Sequence, residues 1–218
     1  MDGAMRTLNL ITAIVAIFTA ALPSLAKAGV GTSGGGHVVV CTSRGADALG
    51  YVTLLDLYEA QRVLNLTLRA SRVSLEAELE LLAGQLQIVF GNINGMPRPL
   101  TADSLEEWWE SRVQYIPGLR AQTSDFGEVP PLPKGCALEQ IAIYDDKHDV
   151  LQVNMHLWDS LDDFNKAALI AHEIIYRERR INDRESSSQV SRFLVGRIFS
   201  TEELSDSRSM LTDYRQNH

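Results

Sequence analysis

An α+β fold, rich in helix and carrying a small, largely antiparallel sheet, is what this sequence predicts, and three observations predict it. Residues 161–179 surround an apolar centre, AALIAHEII at 167–175, interrupted only by His172 and Glu173 and long enough for a buried helix. Short β-branched runs stand elsewhere: HVVVC at His37–Cys41, ALEQIAIY at 137–144 and VLQVNMH at 150–156. The last two are separated by DDKHD at 145–149, a turn-like stretch that makes them a hairpin. Helical patterns precede and follow this hairpin without the strict strand–helix alternation of a parallel sheet.

The chain opens with the three parts of a secretory signal. Arg6 supplies a positive start, cleaner if translation begins at Met5 because Asp2 is then absent. Residues 8–22 (LNLITAIVAIFTAAL) are uncharged and apolar but short for a membrane span. Pro23 and Ser24 end the run, and Ala26-Lys27-Ala28 places small residues where signal peptidase reads them. Residues 1–28 are therefore expected to be a cleaved signal peptide, and 29–218 one globular domain. No cysteine follows the apolar run closely, which argues against a lipid-anchored precursor.

Charge narrows the partners. Removing residues 1–28 takes away Arg6, Lys27 and Asp2 and leaves 18 basic against 27 acidic side chains, a net charge of −9. Such a balance disfavours nucleic acid and anionic membrane, both of which call for a basic patch. No stable membrane anchor is expected after cleavage. The two cysteines, Cys41 and Cys136, would lie in an oxidising compartment, where a structural disulfide is expected; a thiol nucleophile is the alternative.

Taken in order, GVGTSGGG at 29–36 reads as a flexible leader, without the strand and helix a phosphate loop needs. The strand at 37–41 follows, then a turn at 43–50 and a second strand at 51–55. Residues 56–64 (DLYEAQRVL) are helical. Ser74 caps a helix to about Phe90, with Glu76 and Glu78 in its first turn. Ser104 and Glu107 form a capping-box pattern before Trp108 and Trp109, of which one indole is expected in the core and the other partly exposed. Three prolines keep 126–135 extended or looped. Ser160 is positioned to cap the long helix at 161–179, with Ser186 and Gln189, then Ser200 and Glu203, as boxes for two more helices.

Within the long helix, His172 and Glu173 stand among apolar residues on every side. Burying an imidazole and a carboxylate costs several kcal/mol unless both find partners. One reading is a structural network, with His172 and Tyr176 stacked one turn apart and Glu173 paired to Arg177, Arg180 or Arg192. The other is chemistry. His172-Glu173-Ile174-Ile175-Tyr176 resembles the metal-binding helix of the zincin metallopeptidases, His-Glu-x-x-His, with Tyr176 in the second ligand position. That resemblance implies His172 as a zinc ligand and Glu173 as general base. His156, His148, His37, Asp183 or Glu185 would have to complete the ligand set, since a zinc site needs about three protein ligands. The strand at 150–156 is similar to the edge strand with which that family holds a peptide.

A second resemblance spans most of the chain. The glycine-rich leader before Val38-Val39-Val40-Cys41, then LLDLYEA at 54–60, Gly135-Cys136, and Ala171-His172-Glu173 followed by Tyr176-Arg177 are similar to a loose group of small exported proteins of Gram-negative bacteria. It implies a periplasmic or secreted address and carries over no activity. The leading expectation is a non-catalytic protein that binds a protein or peptide partner without a cofactor. The alternative is a zincin-like metallohydrolase with zinc.

Overall fold

A computed structural model of the chain describes residues 32–42, 51–120 and 127–217. The signal peptide expected at 1–28, the first residues of the leader and the turn expected at 43–50 lie outside the described residues. The fold is α+β, as the patterning predicts, but its strands divide between two sheets. One has four strands in the order β1 (Thr32–Gly34), β6 (Ala142–Asp145), β7 (Val150–Asn154), β4 (Val113–Ile116). The other has three, with β2 (His37–Cys41) between β3 (Tyr51–Leu54) and β5 (Cys136–Gln140). Every pairing is antiparallel except β4 with β7.

The run at 137–144 is thus two strands in two sheets. Ile141, fully buried, is the joint: its N–H donates to the Gly36 carbonyl, and its carbonyl accepts from Asn154. Gly36 matches it on the facing N-terminal segment, because β1 pairs with β6 whereas β2 pairs with β5. The second half of the expected flexible leader is therefore a strand and a packed joint. A Cβ on Gly35 would collide with the backbone carbonyl of Ala142, and one on Gly36 with Leu169. At Gly35 only glycine lets the chain lie this close, since the obstacle is backbone, whereas at Gly36 the end of the Leu169 side chain would have to move.

Around the sheets run α1 (Leu55–Arg62), α2 (Leu75–Phe90), α3 (Ala102–Glu110), the short α4 (Met155–Asp159), α5 (Asp163–Asp183), α6 (Gln189–Ile198) and α7 (Ser207–Asn217). Ser74 caps α2 as expected, accepting from the Ala77 N–H. Four other starts differ. Thr101, not Ser104, caps α3, with Ser104 completing the box at the third helical position. Asp162 caps α5, while Ser160 closes α4. Ser188 precedes α6 without a side-chain cap bond, and Asp206 serves the first turn of α7. In each case a nearby Ser, Thr or Asp competes for the same orphan N–H groups, and the tertiary entry angle of the chain selects among them.

Helix α5 is the centre of the molecule. Residues 167–176 are buried without a break, covered by α1, α2, α6 and the sheets. Cys41 and Cys136, directly opposite each other on β2 and β5, form the expected disulfide. It lies beside a small second cluster of Val39, Leu55 and Tyr58, against which Val129, Leu132 and Leu138 pack.

Candidate functional site

Two features of α5's start aim α1 at it. The Asn165 side-chain carbonyl accepts the Leu54 N–H at 2.8 Å and the Thr53 hydroxyl at 3.2 Å. Leu54 is the residue before α1 and lacks a side-chain cap of its own. With that joint held, Asp56 falls in the first turn of α1, where the helix dipole favours an anion. Its Oδ2 lies 2.7 Å from His172 Nδ1, and both side chains are sealed, at 0% and 1% exposure.

Glu173, the next residue of α5, points toward the N-terminal strand. Its Oε1 accepts the Gly36 backbone N–H at 2.6 Å. The arginines that the sequence offers as its partners hold other acids. Arg192 Nε bonds Glu59 at 2.6 Å, Arg177 holds Asp149 at 3.1 Å, and Arg180 pairs with Asp146. Arg192 also reaches the Ser188 hydroxyl and the Glu128 carbonyl. Gly196 allows this arrangement, since a Cβ there would stand 2.9 Å from Ala60 and hold α6 away from α1.

Three carboxylates, Asp56, Glu59 and Glu173, meet one arginine, Arg192, and the His172 imidazole in this centre. Burial pulls the His172 pKa down, but the Asp56 carboxylate overcomes it through charge and hydrogen bond, helped by Glu173, and the net shift is upward. Burial also raises Glu59, against the pull of Arg192. His172 thus holds its proton more readily than a free imidazole, with Nδ1 facing the Asp56 carboxylate. Its Nε2 and the Asp56 Oδ1 make no hydrogen bond among the described residues.

Tyr176 is buried one turn from His172, with ring centroids 5.9 Å apart and tilted by 53°. His156 sits in α4, exposed, its backbone N–H donated to Asn154. His148 pairs with Asp145 in the exposed hairpin turn, and Asp183 and Glu185 both hold Arg179. Among the described residues, no three His, Cys, Asp or Glu side chains gather as a metal-holding group. The strand β7 lies between β6 and β4 and so is not an edge.

Sequence reasoning missed Asp56 and Gly36 as members of this centre. Asp56 had a visible signal, an acid flanked by leucines in LLDLY. Both Trp108 and Trp109 prove buried, each 4% exposed. The accessible aromatics beside them are Trp158 and Tyr115. Trp109 stacks on Trp158 at 5.0 Å and donates its indole N–H to the Tyr115 hydroxyl at 3.0 Å.

Comparison with family models, curated proteins and solved structures finds no match to this chain. Among the described residues no helix is long and apolar enough to cross a membrane, and the disulfide fits an oxidising compartment.

Proposed function

We propose that this is a non-catalytic, periplasmic or secreted protein that works by binding a protein or peptide partner. The observation that carries the reading is the bond from Gly36 N–H to Glu173 within a centre sealed from solvent. A general base needs reach to a substrate proton. Here the carboxylate holds the backbone between β1 and β2, and the neighbouring imidazole is tied to Asp56. Both groups serve the fold, which leaves function to the surface. The disulfide and the secretory pattern of residues 1–28 support an exported address.

One observation favours the metallohydrolase as a second reading. His172 offers Nδ1 to a carboxylate and leaves Nε2 without a hydrogen bond, the arrangement of a metal-bound imidazole with its supporting acid. Elemental analysis of native protein purified without chelator separates the two, read beside cleavage of unstructured peptides. The binding reading expects no stoichiometric zinc and no cleavage. One zinc per chain with peptide hydrolysis overturns it.

A further inference from the structure

We infer that the outer edge of β4 takes an extended, basic peptide segment of a partner protein as an added strand; this rests on the binding reading above and names its place and chemistry.

The edge is open in a specific way. Among the described residues strand β4 ends the four-stranded sheet and pairs only with β7, in parallel, with Val113 opposite Leu151 and Tyr115 opposite Val153. Leu151 N–H donates to the Arg112 carbonyl. In a parallel ladder the groups facing the neighbour alternate along the strand. The N–H and C=O of Val113 and Tyr115 therefore point away from β7, two donors and two acceptors at strand spacing. Within VQYI no lysine, proline or charged side chain blocks the edge, although the strand is short and bounded by Arg112 and Pro117.

Side chains beside this edge set the chemistry. Tyr115 is 40% exposed and lies against Trp158, with ring centroids 5.7 Å apart. Trp158 already accepts a cation, since the Lys166 ammonium stands 5.5 Å from its ring centre. The carboxylates of Glu110 and Asp159 bear on the Tyr115 hydroxyl. Farther along α3, Asp103, Glu106 and Glu107 join Glu110 around a shallow depression. None of these five acids enters an ion pair among the described residues. An aromatic face beside carboxylates that enter no ion pair among the described residues complements a guanidinium or ammonium. Strand addition supplies affinity through the backbone, and alternate side chains supply selectivity. An arginine or lysine opposite Tyr115 would lie on the ledge between Glu110 and Asp159.

The test uses the full mature chain and a fluorescein-labelled peptide, Thr-Val-Arg-Val-Arg-Val-Thr, followed by fluorescence anisotropy at low and high salt. Saturable binding is expected, weaker at high salt. Tyr115→Ala should weaken it roughly three- to thirtyfold. It also takes the acceptor from the buried Trp109 indole N–H, so its melting temperature should fall, and binding is compared at a temperature where both proteins are folded. The pair Glu110→Gln and Asp159→Asn should weaken it and flatten its salt dependence. N-methylation of alternate peptide amides should abolish it. Absence of saturable binding overturns the inference, as does binding that survives N-methylation or is equally tight with glutamate in place of arginine. An intact, unbound peptide counts against this site alone, whereas a cleaved peptide with stoichiometric zinc removes the binding reading itself.

Discussion

His172 is a buried imidazole held by a carboxylate from another helix. Its imidazole faces Asp56 from α1, Glu173 on its own helix and Arg192 from α6, with Glu59 beside Arg192. Because its pKa in the fold is raised above 6.5, the folded chain holds this proton more tightly than the unfolded chain. The resulting stability is fully present below pH 6.5 and is lost as pH rises through the folded value, at no more than about 1.4 kcal/mol per pH unit. The melting temperature should therefore fall from pH 6.5 upward, and His172→Gln should remove that slope. Glu59 is raised from 4.5, so its own window opens at more acid pH. Asp149 contributes on the acid side as well: despite burial, the Tyr144 hydroxyl and the Arg177 and Arg112 guanidiniums hold it below 3.8. A melting temperature flat across neutral pH in the wild type would show that His172 is not bound in this way. Removing the partner is costlier than titrating it, and Asp56→Ala should lose about 3–5 kcal/mol, read by urea denaturation.

Between elements, the tightest constraint is the joint of β1 and β2 against α5. Gly35→Ala places a Cβ on the Ala142 carbonyl, which is backbone and cannot rotate aside. A loss of about 1–3 kcal/mol is expected from this overpacking, whereas Gly84→Ala, with open space around it, should be neutral or stabilising. Equal melting temperatures for the two alanine variants would mean that the N-terminal strand is not docked. Elements with strong local signals were legible in the sequence: β2, the Ser74-capped α2 and the buried run of α5 depend on composition and period alone. The break of 137–144 at Ile141 was not legible, because ALEQIAIY is apolar enough for one strand and only the partner strands decide that it is two. Nor was the leader's role. GTSGGG reads as flexible when the helix that its glycines allow it to approach is 130 residues away. The His172–Glu173 pair stood out because it interrupts an apolar run, but its partners Asp56 and Gly36 belong to tertiary structure.

At the scale of the whole molecule, the disulfide and the Glu173 bond close the fold at two places on the same N-terminal stretch. Cys41 and Cys136 are 95 residues apart, a loop whose closure is worth about 4–5 kcal/mol by chain entropy. Reduction should lower the denaturation midpoint accordingly, and titration of the denatured, unreduced chain should find no free thiol. If residues 1–28 are removed on export, β1 begins three residues after the new N-terminus. Intact-mass analysis of protein recovered from the cell envelope or medium should give a chain starting near Gly29; retention of residues 8–22 contradicts export by this route. Glu173 is where structural and catalytic readings part most sharply, and the thermal melting of Glu173→Ala beside Glu173→Gln tests them directly. A structural Glu173 leaves the Gly36 N–H unsatisfied in the alanine variant, a loss of about 1–3 kcal/mol and a fall of roughly 2–12 °C, while the glutamine variant keeps the acceptor and melts near the wild type. An alanine variant that melts like the wild type contradicts a structural role for this carboxylate.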